Sequence, residues 1–154
     1  MKLTRKTVLS VDLSQKDLAE LEKSIRNLNF LSHAEVHLVF VFQTTSMSLG
    51  FGEFPYVFPT VEDQRVIQQA SEATLVSLKE KCFSSDFTGK VVVKCLFGDD
   101  AKYRLCEYVN EHGIDLVVMW AREKRGLFES SFTNYVGRHT DANVLVIKQR
   151  AHLR

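Results

Sequence analysis

The chain has 154 residues, of which 45% are hydrophobic and 25% charged, and this composition predicts a single globular domain spanning residues 1–154. The formal net charge of +1 lacks the basic excess that is typical of nucleic-acid-binding proteins, so protein partners and small ligands are expected instead. No stretch approaches about 18 consecutive apolar residues, and the basic N-terminus lacks a signal-peptide pattern. We therefore expect a cytoplasmic protein that makes no contact with membranes.

Short apolar runs of the kind found in buried strands alternate along the chain with segments that have apolar residues at helical spacing. A strand is predicted at 7–12, and Ser14 is predicted to cap the helix that follows it, with Asp17 three residues further on. The later predicted elements are a strand at 34–42, a helix at 61–83, a strand at 90–97, a helix from Asp99 or Asp100 to His112 with Gly113 as its C-terminal glycine, a strand at 114–120, a helix at 131–140 and a strand at 143–148.

The apolar spacing also predicts which side of each helix faces the core. In the helix at 61–83, the apolar side is expected to consist of Val66, Ala70, Ala73, Leu75, Val76 and Leu78. In the helix that ends at His112, the inward residues are expected to be Tyr103, Leu105, Cys106 and Val109.

The alternation of strands and helices predicts an α/β fold, a Rossmann-like open twisted sheet of five parallel strands with helices on both faces. Ligands of such sheets bind at the carboxyl ends of the strands, where the strand order reverses. The final apolar strand contains Val144, Leu145, Val146 and Ile147. An open edge of this kind is an aggregation hazard, so we expect this strand to be covered by pairing in a homodimer.

The segment 43–60 interrupts the alternation and contains both prolines of the chain together with Phe51, Phe54, Tyr56 and Phe58. Long connections with so much apolar surface have several interpretations. The aromatic side chains either fold back onto the sheet edge or the second helix, or they contact a protein partner or cover a pocket. The sequence leaves these alternatives open.

Several segments, taken in order, resemble the universal stress protein family over nearly the whole chain. These segments are Val8–Asp12, Phe40–Phe42, Gly98–Ala101, Asp115–Met119, Gly126–Leu127 and Asn143–Ile147. The resemblance implies a fold of the adenine nucleotide alpha hydrolase type and a role in the stress response. It also implies a dimer formed through the last strand.

One branch of that family binds ATP through a glycine motif after the fourth strand, because glycines let the backbone amides approach the phosphates. Here Trp120, Glu123 and Thr133 stand at the three glycine positions, and Asn134 stands where Ser or Thr is usual. The resemblance therefore favours the branch without ATP, which needs no cofactor and acts through dimerisation and protein contacts.

The alternative is an ATP- or ADP-binding stress sensor with a diverged phosphate loop. Its contacts would be Asp12, Val41, Met119, Arg122 and Gly126, as the resemblance implies. Simpler roles also exist for these residues. Asp12 would cap a helix or bind loop amides, Val41 would belong to the sheet core, and the basic residues from Arg122 to Arg125 would form a solvated loop.

No pattern indicates catalysis, since no nucleophile elbow, Walker motif or metalloprotease motif is present. We therefore expect no enzyme, although an enzyme or transfer protein of a related α/β fold remains a third hypothesis. His33 and His37 are four residues apart across a helix–strand junction and lack a third ligand, so no metal site is expected. The three cysteines are expected to be reduced, with Cys95 and Cys106 buried.

Overall fold

The computed structural model describes residues 5–13, 18–32, 34–44, 60–122 and 129–149, and the predicted cap at Ser14 lies outside them. Its elements are β1 (Lys6–Ser10), α1 (Leu18–Arg26), β2 (Glu35–Gln43), α2 (Val61–Cys82), β3 (Lys90–Gly98), α3 (Ala101–Glu111), β4 (Leu116–Arg122), α4 (Glu129–His139) and β5 (Asn143–Gln149), with a 3-10 turn at Asn29–Leu31 between α1 and β2. The predicted alternation of strands and helices is confirmed.

The five strands form one parallel sheet in the order β3-β2-β1-β4-β5. At its centre Leu9 of β1 lies beside Leu38 of β2 on one side and Val118 of β4 on the other. The chain builds the sheet outward from β1 to β3 and then crosses back to place β4 on the other side of β1. The strand order therefore reverses between β1 and β4, and β5 ends the sheet as predicted.

Both faces of the sheet are covered, because neighbouring residues of one strand point to opposite faces and both are buried. Val8 and Leu9, which are adjacent in β1, are each fully buried. Val8 packs with Leu105 and Val109 of α3 on one face, and Leu9 packs with Leu75 of α2 on the other. The core thus consists of two layers separated by the sheet.

The ends of the helices confirm two predicted caps and add a third. Thr60 and Asp63 form a reciprocal capping box at the start of α2. Of the two candidate caps for α3, Asp100 is the one whose side chain accepts a hydrogen bond from the amide of Lys102. Gly113 follows α3 with φ of 60°, a left-handed conformation that favours glycine.

The predicted inner face of α2 is wrong in part. Its buried residues are Ser71, Leu75 and Leu78, whereas Val66, Ala70, Ala73 and Val76 are exposed. Each set has helical spacing, so α2 carries two neighbouring stripes, and only the one containing Leu75 and Leu78 meets the sheet. The apolar pattern alone merges the two stripes, and it omits Ser71 because that residue is polar.

The prediction for α3 is also wrong at one position. Tyr103 is 59% exposed rather than inward, and Tyr108, which was not predicted, is only 3% exposed. The fourth strand begins two residues later than predicted, because Asp115 belongs to the preceding turn. Its carboxylate accepts a hydrogen bond from the amide of Lys6 at 2.9 Å and ties that turn to the start of β1.

Within the described residues, no helix combines the length and hydrophobicity needed to cross a lipid bilayer.

Candidate functional site

A cavity of about 360 Å³ opens at the carboxyl ends of β1 and β4. Ser10, the last residue of β1, lies beside Met119 of β4 at this position. The described residues that line the cavity are Ser10, Val11, Asp12, Phe40, Val41, Ala101, Met119, Trp120, Phe132 and Thr133. The cavity therefore lies where the strand order reverses, which is the usual ligand position in an open parallel sheet.

A larger recess of about 590 Å³ lies at the opposite end of the sheet. It is lined by Arg5, Gly113, Ile114, Asp115, Leu116, Asp141 and Asn143. These residues belong to the segments before β1, β4 and β5 and to the first positions of β4 and β5, at the amino ends of the strands. Because ligands of open parallel sheets bind at the carboxyl ends, the smaller cavity is the candidate site.

The wall of the candidate cavity is mainly apolar and aromatic. Phe40 and Trp120 pack with the core on the α1–α2 face of the sheet, whereas Val41 and Phe132 pack with the core on the α3–α4 face. The cavity thus extends across the end of the sheet and touches both layers. A wall of this composition suits a ligand with a flat, apolar body.

Asp12 carries the only charge among the described lining residues. It follows β1 directly and is exposed at the mouth of the cavity. A carboxylate only accepts hydrogen bonds, so it favours ligand groups that donate N–H or O–H and disfavours anions.

Trp120 is held in the wall by a hydrogen bond to the first helix. Its indole Nε1 donates to Oγ of Ser24 in α1 at 2.7 Å. The ring is half-buried, and its packing against the α1–α2 core fixes it from the other side. The indole is therefore a fixed part of the cavity wall, anchored by both packing and a hydrogen bond.

Three of the five predicted contact residues, Asp12, Val41 and Met119, come together in this cavity. Arg122 ends β4, but its side chain lies outside the described residues, as does all of Gly126. The nucleotide-contact roles of all five residues stay predictions.

Sequence reasoning did not single out Ser24, Phe40 or Phe132 as residues of the site. Phe40 and Phe132 have the spacing of ordinary core residues, so no signal distinguishes them. Ser24 contacts the site only through Trp120, a residue 96 positions away in the chain.

A second polar cluster lies between β2 and α3 and extends from the buried core to the surface. His37 is buried, and its Nε2 lies 2.9 Å from Oε1 of Glu35 while its Nδ1 lies 2.6 Å from the hydroxyl of Tyr108. The ring of His112 stacks on Tyr108 with 3.9 Å between centroids. This arrangement resembles a proton relay in its order of groups, but Tyr108 is buried and lines none of the cavities described above.

The ionisation of this cluster follows from its hydrogen bonds and burial. The hydrogen bond from His37 lowers the pKa of Glu35, while burial raises the pKa of Tyr108. Because an ionised Glu35 only accepts, Nε2 of His37 must carry its proton, and in the neutral ring Nδ1 accepts from the Tyr108 hydroxyl.

The cysteines are free thiols, and burial raises the pKa of each one. For Cys82 the pKa rises to about 11. Thiols with raised pKa values are poor nucleophiles, because the thiolate is the reactive form. Among the described residues, no group of three or more His, Cys, Asp or Glu side chains is arranged to hold a metal ion.

Comparison with known proteins identifies the family. The model of the universal stress protein family matches residues 4–148, and the chain therefore belongs to this family. No curated protein matches the chain in sequence.

Solved structures agree with the fold. The hypothetical protein PH0823 has 19% identity and a TM-score of 0.65, with 97% of this chain and 99% of that chain covered. The universal stress protein UspA from Lactobacillus plantarum has 19% identity and a TM-score of 0.59, with 96% and 99% covered. A universal stress protein from Archaeoglobus fulgidus has 13% identity and a TM-score of 0.58, with 95% of each chain covered. At these identities the likeness establishes the fold.

Proposed function

We propose that this universal stress protein acts in the stress response as a homodimer, through protein contacts and without binding ATP. One observation supports the absence of ATP binding. Trp120 and Thr133, which stand at two of the three glycine positions of the family's ATP motif, both line the cavity at the strand ends.

A bound nucleotide would need close backbone contact at its phosphate end. Polyphosphate is held by backbone amides that approach it closely, and glycine permits that approach because it has no side chain. At the first glycine position the structure has an indole fixed by Ser24, and at the third it has the side chain of Thr133.

A thermal-shift titration with Mg-ATP tests this part of the proposal. A ligand present at about 100 times its Kd adds about 2.7 kcal/mol of stability, which for a chain of this size corresponds to a rise in Tm of several degrees. We expect no such rise with Mg-ATP, and inorganic triphosphate with magnesium serves as the control for unspecific anion effects. A saturable rise in Tm with Mg-ATP but not with magnesium triphosphate would contradict the proposal.

A second candidate function, an ATP- or ADP-binding sensor, is favoured by one observation. Asp12, Val41 and Met119, the residues that the family resemblance assigns to nucleotide contacts, line one common cavity. The same titration separates the two candidates, because a sensor of this kind must respond to Mg-ATP or Mg-ADP.

The edge strand β5 supports the proposed homodimer. It pairs with β4 on one side, and its apolar residues Leu145 and Val146 are 38% and 37% exposed. Pairing two copies of this strand across a two-fold axis would satisfy the open backbone groups and cover these side chains. Contacts of the segment 43–60 with a protein partner stay a prediction, because most of that segment lies outside the described residues.

We also propose that the protein works in the cytoplasm and has no catalytic role. The buried positions of His37 and Tyr108 support the second statement, because neither residue lines either of the two recesses at the sheet ends. A broad hydrolase screen tests it. Turnover that disappears in Asp12→Ala would contradict the proposal.

A further inference from the structure

The recess at the amino ends of the strands has a floor that is fixed by the backbone. This floor is the turn between α3 and β4. The amide of Ile114 donates a hydrogen bond to the carbonyl of Val109 at 3.1 Å, and the amide of Asp115 donates to the carbonyl of Lys6 at 2.9 Å. The carbonyl of Asp115 in turn accepts from the amide of Asn143 at 3.0 Å. These contacts tie the turn to α3, β1 and β5, and the volume of about 590 Å³ above it lies within the range of ligand pockets.

Opposite charges lie on the two sides of this floor. Arg5 precedes β1 and Asp141 precedes β5, and both residues line the recess. In the parallel register Thr7 is aligned with Leu116, and Leu116 is aligned with Asn143, so Arg5 and Asp141 flank the turn before β4. Neighbouring strands lie about 4.8 Å apart, which places these two backbones about 10 Å from each other. Neither side chain forms an ion pair with another described residue.

The surface between the two charges is aliphatic. Ile114 is buried and Leu116 is half-buried, and both line the recess. The other carboxylate of the recess, Asp115, already accepts a hydrogen bond from the amide of Lys6, whereas Asp141 is exposed. The recess therefore presents a guanidinium, an aliphatic floor and a carboxylate in that order across three neighbouring strands.

We propose that this recess binds a small zwitterion whose carboxylate and ammonium groups lie at opposite ends of a short aliphatic body, as in an ω-amino acid. Arg5 binds the carboxylate, because a guanidinium donates two parallel N–H groups to it. Asp141 accepts hydrogen bonds from the ammonium group, and the aliphatic body packs on Ile114 and Leu116. This site lies at the other end of the sheet from the strand-end cavity, so the two can be tested separately.

The probe is 6-aminohexanoate, and the matched ligands hexylamine and hexanoate each lack one of its two charges. Each ligand is titrated into the full chain, and binding is followed by the backbone amide signals in proton–nitrogen NMR spectra. The signals of Gly113 and Leu116 report on the recess, whereas those of Ala101 and Met119 report on the strand-end cavity. We expect saturable shifts at the first pair only.

The unmodified protein is expected to bind 6-aminohexanoate about fivefold more tightly than hexylamine or hexanoate, which is the upper end for one exposed ion pair. Arg5→Gln should remove this advantage over hexylamine and leave hexylamine binding unchanged, because hexylamine has no carboxylate. Asp141→Asn should likewise remove the advantage over hexanoate and leave hexanoate binding unchanged. The control Arg65→Gln removes an exposed arginine of α2 and should change neither affinity. Cooperative urea unfolding verifies that each variant keeps the fold.

Four results would overturn the inference. The first is the absence of saturable shifts at Gly113 and Leu116 with 6-aminohexanoate, and the second is equal affinity for all three ligands. The third is an equal loss of 6-aminohexanoate and hexylamine binding in Arg5→Gln, which would show that Arg5 supports the fold of the recess and not the carboxylate. The fourth is binding of glycine, whose two charges flank one carbon, as tightly as 6-aminohexanoate. None of these results depends on whether ATP binds, so the proposed function and this inference fail separately.

Discussion

Removing the hydroxyl of Tyr108 by the substitution Tyr108→Phe should destabilise the protein. That hydroxyl lies 2.6 Å from Nδ1 of His37, and both residues are buried. Phenylalanine keeps the ring and its stacking on His112 but leaves Nδ1 without its partner. A buried polar atom that loses its hydrogen bond costs about 1–3 kcal/mol. For a chain of this length, each kcal/mol lowers Tm by about 2–4 °C.

The matched control is Tyr103→Phe, which makes the same chemical change in the same helix. Tyr103 is exposed, so its substitution should change the free energy of unfolding by less than about 0.5 kcal/mol. Urea unfolding at neutral pH, followed by circular dichroism, measures both variants against the unmodified protein.

The comparison decides how α3 is oriented on the sheet. If Tyr103→Phe is the more destabilising substitution, α3 is rotated toward the face that the sequence pattern predicts, and the cluster of His37 and Tyr108 does not exist as described. Equal and negligible changes in the free energy of unfolding would show that the hydrogen bond between the Tyr108 hydroxyl and Nδ1 of His37 does not stabilise the fold measurably.

Three further predictions concern stability and assembly. Thr7→Val should raise the free energy of unfolding, measured with urea, by about 1–2 kcal/mol, because the buried Thr7 hydroxyl has no hydrogen-bond partner among the described residues and valine has the same shape. A loss of stability would show that this hydroxyl does have a partner. Glu35 has a lowered pKa in the folded state, so it contributes stability above its unfolded-state pKa, and this contribution is lost as the pH falls through the folded-state pKa. Glu35→Gln should therefore reduce the loss of stability between neutral pH and about pH 3 in urea unfolding, and an unchanged pH profile would contradict this expectation. Val146→Lys should give monomers in light scattering. The control Val76→Lys alters a similarly exposed valine on α2 and should leave the dimer intact. Dimers in both variants would refute pairing through β5.

The sheet could be predicted from the sequence because its strands are buried on both faces. Val8 and Leu9 belong to a short, almost uninterrupted apolar run, and such runs between amphipathic helices indicate a parallel sheet. Asp12 and Met119 were assigned to one site by the family resemblance. Their shared position in the cavity agrees with a parallel sheet, because the carboxyl ends of neighbouring parallel strands meet at one edge.

The orientation of α3 could not be predicted, because helical spacing is compatible with both tyrosines. Tyr103 lies three residues before Cys106, and Tyr108 lies three residues after Leu105, so each has a buried helical neighbour. The structure selects Tyr108 through His37, a residue of another strand. Periodicity within one segment contains no information about such a partner.

The hydrogen bond that anchors Trp120 could not be predicted from the sequence for the same reason. The sequence places a tryptophan where, by the family resemblance, the ATP-binding branch has a glycine, and this predicts that the phosphate end of the site has changed. The contact with Ser24 depends on how α1 is placed over β4, a long-range arrangement that no local pattern encodes. The anchored indole of the cavity wall therefore emerges only from the folded chain.

Native mass spectrometry of the purified protein reports assembly and bound nucleotide in one spectrum. We expect a species with the mass of two chains and no added mass of ATP or ADP. A species that carries one nucleotide for each chain would contradict the claim that this universal stress protein acts without ATP.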